Sequence, residues 1–108
     1  MTEDYAAAEP TRAEIDALQG PVLLEFGSTN CGWCVRAQSL LKPAFAAHPG
    51  VQHIKVEDGS GQPLGRSFGV KLWPTLVFLK DGKEVTRLIR PSRAQEVTEA
   101  FNTINQAA

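Results

Sequence analysis

Apolar residues along this chain alternate between two spacings, and the switches mark its elements. Val22-Leu23-Leu24-Glu25-Phe26 is nearly continuous rather than alternating, the pattern of a strand covered on both faces in a parallel or mixed sheet. It should be central. Upstream, Thr11 and Glu14 have the spacing of a capping box, Ile15 and Leu18 supply a short helical stripe, and Gly20-Pro21 stops it. Downstream, Val35 to Ala47 reads as helix, with Leu40, Leu41, Ala44 and Phe45 on one face. Pro43 inside that pattern predicts a kink or a split, and His48-Pro49-Gly50 ends it.

Val51, His53 and Lys55 then alternate with Gln52, Ile54 and Val56 in a second strand, followed by the turn-rich Asp58-Gly59-Ser60-Gly61 and a short helix around Leu64 to Phe68. Thr75 to Lys80 and Glu84 to Ile89 are strands joined by Asp81-Gly82, the signal for a type I′ hairpin, so these two run antiparallel. Ser92 and Gln95 have capping-box spacing before Val97, Ala100, Phe101 and Ile104, which recur at helical intervals. The order is helix, strand, helix, strand, short helix, strand, strand, helix. It predicts an α/β fold with a central mixed sheet flanked by helices on both faces.

Residues 1–10 carry no apolar period and are expected to be a flexible leader to a single domain over 11–108. Hydrophobic residues make up 43% of the 108, charged residues 21%, and the formal net charge is −1. That balance removes any global argument for nucleic acid or an anionic membrane as partner. The N-terminus, Met1-Thr2-Glu3-Asp4, is acidic, no apolar h-region follows it, and no stretch approaches membrane-spanning length. The cytoplasm is the expected compartment.

The chemistry lies in Cys31-Gly32-Trp33-Cys34, which contains both cysteines of the chain. A strand that delivers such a pair to the first turn of a helix places Cys31 where unpaired N–H groups and the positive end of the dipole stabilise a thiolate. Cys31 is the expected nucleophile. Cys34, one turn in, is close enough to close a disulfide and more buried, which suits a resolving thiol. The bland alternative is a pair of inert thiols or a structural disulfide; a strand-to-helix turn favours redox chemistry. No cofactor is then needed beyond the Cys31–Cys34 disulfide. Two cysteines with His48 and His53 would supply four zinc ligands on paper, but the spacing matches no finger, so no metal is expected.

This element order, with a cysteine pair after the central strand and Trp73-Pro74-Thr75 opening the first hairpin strand, resembles the thioredoxin family over roughly residues 20–105. The resemblance implies a thioredoxin-like fold with Cys31 and Cys34 as nucleophilic and resolving cysteines and a cis Pro74 facing them. Lys80-Asp81-Gly82 matches the hairpin turn. Glu25, six residues before Cys31, falls where the family keeps a buried Asp, and Lys55 falls where it keeps a nearby Lys. A carboxyl held away from water keeps its proton to higher pH, which suits Glu25 to take the proton from Cys34. The alternatives are a surface Glu25 or a structural ion pair with Lys55. Trp73 N–H and C=O are expected to pair with an extended substrate strand, and Trp33 and Trp73 to form an apolar contact patch.

The departures are as informative. The pair encloses Gly-Trp rather than Gly-Pro, Asn30 stands in place of a Trp, and Arg90 stands where the family has a glycine on the substrate-facing surface. A proline replaced restores a backbone donor, so the family's reduction potential does not transfer. A bulky cation at 90 should alter partner choice; its side chain is expected in solvent, with contact to acidic substrate groups as the lesser alternative. The expected function is thiol-disulfide oxidoreduction on protein disulfides, with a thioredoxin-reductase-like or other thiol electron donor, by a monomer. The competing reading is a binding module that uses the same groove, with the cysteines at most a redox sensor.

Overall fold

The computed structural model describes residues 1–105; the last three residues of the expected domain lie outside them. The elements are α1 (Arg12–Asp16), β1 (Pro21–Gly27), α2 (Gly32–Ala47), β2 (Gln52–Glu57), α3 (Pro63–Ser67), β3 (Thr75–Lys80), β4 (Lys83–Ile89) and α4 (Ala94–Ile104). They build one sheet in the order β2-β1-β3-β4. β2 runs parallel to β1, while β3 is antiparallel to β1 and β4 to β3. The mixed sheet and its central β1 are as expected.

Side-chain parity divides the core. Leu23, Leu76 and Phe78 face Leu41 and Phe45 of α2 and Val97 and Phe101 of α4. Val22, Leu24, Phe26, Val77 and Leu79 face the opposite way, onto Ile15, Leu64 and Phe68. Phe101 meets Phe45 and Phe78 edge-on, at centroid distances of 5.0 and 5.4 Å, which fixes α4 against the sheet. Because β1 is buried on both faces, the loop after it leaves the sheet from a rigid base and carries the cysteines at its end.

Three local expectations are settled here. The Thr11–Glu14 capping box forms, Thr11 Oγ1 accepting from Glu14 N at 3.1 Å and Glu14 Oε1 from Thr11 N at 2.9 Å. The Ser92–Gln95 box does not. Helix α4 starts a residue later, with Arg93 as N-cap and no side-chain cap; that makes Glu96 the N3 residue, and its carboxylate reaches back to the Ser92 N–H at 3.4 Å. Nor does Pro43 split α2, which is continuous over 16 residues. Ser39, whose carbonyl loses its helical donor, is exposed, so water can satisfy it.

The hairpin is the type I′ turn expected, with φ of 52° at Asp81 and 79° at Gly82. Gly82 has a second constraint, since a Cβ there would collide with the Asp16 carbonyl. Asp81 closes the same junction by accepting from Gly20 N at 2.8 Å.

Residues 1–10 form neither helix nor strand, but the leader expected to be loose is tied to the domain at several points. Ala6 N donates to Lys55 O at 2.8 Å, Thr2 N to His53 Nδ1 at 3.1 Å, and Leu64 N to Glu9 Oε1 at 2.6 Å. Polar groups of the outer edge of β2 and the start of α3, rather than an apolar stripe, hold this segment, which is why hydrophobic periodicity gives no sign of it.

Candidate active site

Cys31 is the N-cap of α2, and its sulfur accepts the Cys34 backbone N–H at 3.1 Å. The two cysteines form a disulfide with Cα atoms 5.2 Å apart. On reduction, the same N–H and the helix N-terminus favour negative charge on Cys31. Cys31 is half-buried, whereas Cys34 is only 3% exposed, so an incoming partner meets Cys31 first. Trp33, at the turn, is exposed rather than part of the core.

A second loop meets the turn. The Trp73–Pro74 peptide is cis, and Pro74 is buried. The Trp73 indole donates to Asp58 Oδ2 at 2.9 Å, which orients the ring. Arg90 bridges the parts. Its backbone N–H donates to Pro74 O at 3.0 Å, its Nε to Trp73 O at 2.9 Å, and its guanidinium lies 5.5 Å from the centroid of the Trp33 ring. Arg36 approaches that ring at 5.0 Å. The Trp73 carbonyl, expected to pair with a substrate strand, accepts from Arg90 in the free protein.

Beneath the cysteines, Glu25 is fully buried, so it is not the surface carboxylate that was one alternative. Its Oε1 pairs with His53 Nε2 and its Oε2 with Gln38 Nε2, each at 2.8 Å. Gln38 Nε2 also donates to Cys34 O at 3.0 Å, so one amide spans the carboxylate and the backbone of the resolving cysteine. Thr2 N–H donates to His53 Nδ1, so that nitrogen is the acceptor and the proton of the neutral ring sits on Nε2, facing Glu25. Lys55 is the register partner of Glu25, but the ion pair between them that was another alternative does not form. Its Nζ donates to Glu3 O at 3.1 Å and lies 4.8 Å from the centroid of the Tyr5 ring.

His53, Gln38 and Tyr5 were missed from the sequence. His53 was weighed only as a metal ligand, although its parity with Lys55 places both on the Glu25 face once β1 and β2 are paired in parallel. Tyr5 comes from the leader and donates to Ser28 O at 3.1 Å. A Cβ on Gly27 would lie 2.7 Å from Tyr5 Oη and 3.0 Å from Cys34 Sγ, so the glycine is what admits both atoms. Burial, with the charges of Glu25 and Glu57, pushes the Tyr5 hydroxyl up to about 12, which keeps it neutral. An open cleft of about 300 Å³ runs past Glu3, Tyr5, Ser28, Cys34, Gln38 and Lys55.

The histidines do not join the cysteines. His48 pairs with Asn105 at 2.6 Å and His53 with Glu25, and the described residues contain no group of three or more His, Cys, Asp or Glu that would hold a metal. Among them, no helix is long and apolar enough to cross a membrane.

Comparison with known proteins agrees with this geometry. The family model described as Thioredoxin matches residues 6–103. A thioredoxin of Chlamydia muridarum is 39% identical over 71 residues, 65% of this chain and 69% of that one. One from Haemophilus influenzae is 33% identical over 89 residues, covering 80% of this chain and 78% of its own. The structure of thioredoxin 2 from Pseudomonas aeruginosa PAO1 in its reduced form superposes with a TM-score of 0.85 at 54% identity over 96% of both chains. The chain belongs to the thioredoxin family. Its chemistry is that of a protein thiol-disulfide oxidoreductase, a family whose members need no cofactor beyond the redox-active disulfide.

Proposed function

We propose that the chain works as a reductant of protein disulfides, with Cys31 as nucleophile and Cys34 as resolving thiol. The Cys31 thiolate attacks one sulfur of the substrate disulfide; the Cys31–substrate bond forms, the substrate S–S bond breaks, and the other substrate sulfur leaves as a thiolate. Cys34 then loses its proton and attacks Cys31 Sγ, expelling the second substrate sulfur and closing Cys31–Cys34. Two electrons have passed to the substrate. A thioredoxin-reductase-like enzyme or another thiol donor returns them.

The observation that carries this reading is the Cys31 sulfur at the N-cap of α2, accepting the N–H of the cysteine it is bonded to. In this scheme Glu25 takes the Cys34 proton, Gln38 holds the carboxylate beneath the resolving cysteine by donating to Glu25 Oε2 and Cys34 O, and Lys55 acts by holding the leader against the cleft. Pro74 and Trp73 present backbone to an extended substrate, and Trp33 and Arg90 meet it beside the sulfur. The protein works as a monomer. The cytoplasm fits a dithiol that must be kept reduced. Equilibration in glutathione buffers, read by quenching of Trp33, tests the direction: a potential near about −270 mV supports a reductant, and one of about −180 mV or higher makes it an isomerase or oxidant. No reversible titration would leave only a binding module.

A further inference from the structure

Arg90 occupies a position at which its side chain interferes with the docking just described. Its φ of 50° lies in the left-handed region that glycine adopts freely and other residues rarely do. Its Nε takes the Trp73 carbonyl, the acceptor next to Pro74 that an extended partner would use, and its guanidinium covers one side of Trp33. Arg12 and Arg87 are paired with Asp16 and Glu84. Arg36, Arg66, Arg90 and Arg93 have no carboxylate partner among the described residues, and of these Arg90 and Arg36 converge on one indole beside Cys31. Asp58, whose carboxylate accepts from the Trp73 indole, makes no ion pair with either guanidinium. A chain of net charge −1 therefore presents a cationic rim at its reactive sulfur.

We propose that Arg90 is a specificity latch, selecting protein disulfides flanked by Asp or Glu. In the free protein the guanidinium holds the Trp73 carbonyl. An acidic side chain next to the substrate cysteine draws the guanidinium into a charge-assisted pair, which releases the carbonyl to the substrate's backbone N–H. A neutral or basic flank leaves the latch in place and meets two uncompensated cations. This specificity rests on Cys31 being the exchanging sulfur.

The test uses three disulfide-bonded peptides that differ only in flanking Glu, Ser or Lys, reduced by the protein with dithiothreitol as recycling reductant. The expected kcat/KM for the Glu peptide exceeds that for the Ser peptide by about fivefold at low salt, the upper range for an exposed ion pair, and shrinks as salt rises. Arg90→Gly suits the local φ, so the fold is retained. It should bring the three peptides within about twofold of one another and speed reduction of the Ser peptide, because the carbonyl is freed. Lys83→Gln, at the far end of β4, removes one charge without touching the rim and should keep the preference. Equal rates on all three peptides in the unaltered protein, or an acidic preference that survives Arg90→Gly, overturns the latch. Binding of the same peptides to Cys31→Ser reads the latch without exchange. A Glu preference there that Arg90→Gly removes, with no peptide reduced by the unaltered protein, upholds the latch and sinks the exchange reading; equal binding of all three peptides overturns the latch.

Discussion

Glu25 Oε1 and His53 Nε2 lie 2.8 Å apart in the interior, with the two side chains 0% and 2% exposed. A carboxylate in the core needs a donor on each oxygen, and His53 and Gln38 supply one each. Thr2 fixes which ring nitrogen carries the proton, so the first residues of the chain reach through His53 to the group beneath the redox pair. His53→Leu is expected to leave Oε1 without a donor and to cost about 1–3 kcal/mol in urea unfolding. His53→Gln retains an N–H and should cost less. Equal losses for both would mean that ring packing on Phe45, 4.6 Å away between centroids, outweighs the hydrogen bond.

If Glu25 takes the Cys34 proton, Glu25→Gln should slow release of the mixed disulfide on the order of 10²-fold, the low end for a general base. Attack by Cys31 should be little changed. Single-turnover mixing of reduced protein with a chromogenic disulfide separates the two steps. Cys34→Ser marks the limit, since it should accumulate the mixed disulfide without resolving it, and Cys31→Ser should form none. A Glu25→Gln protein that resolves at the normal rate would confine Glu25 to a structural role.

Where local chemistry decides the structure, the sequence was readable. Asp81-Gly82 demanded two positive φ values, and Val22 to Phe26 had to be covered on both faces. Thr11 and Glu14 needed only each other, whereas the cap at Ser92 depended on where the chain from Pro91 turns into α4. The cysteine pair was legible because its position at a helix start is local. The Glu25–His53 pair was not, because it requires the parallel register of β2 on β1, which no pattern within β2 specifies. Tyr5 and Lys55 were obscured for a related reason: a leader bound by backbone hydrogen bonds and one aromatic ring has no periodicity to detect.

Tyr5 gives a pH signal. It is the only tyrosine in the chain, so its ionisation can be followed by ultraviolet absorbance without overlap from another. In the folded protein it should titrate near about 12 rather than 10.0. The fold favours the neutral phenol, so the stability tied to this shift is complete below about pH 10 and is lost as pH rises from there through about 12. Tyr5→Phe should remove that part of the alkaline slope. A phenol that titrates near 10 in the native protein would mean the leader does not cover it.

Gly27 tests whether the leader and the resolving cysteine share one site. Gly27→Ala places a methyl group 2.7 Å from Tyr5 Oη and 3.0 Å from Cys34 Sγ, and β1 is hydrogen-bonded on both sides and cannot easily move away. Overpacking of this kind costs about 1–3 kcal/mol. Tyr5→Phe removes the nearer clashing atom and leaves the ring on Lys55. The two substitutions should therefore be non-additive, with the double variant more stable than the sum of the single losses implies by about 0.5 kcal/mol or more. A urea-denaturation cycle on the oxidised protein measures it. Additive losses would mean that Tyr5 leaves Gly27 readily, and the leader would then be a cover rather than part of the site.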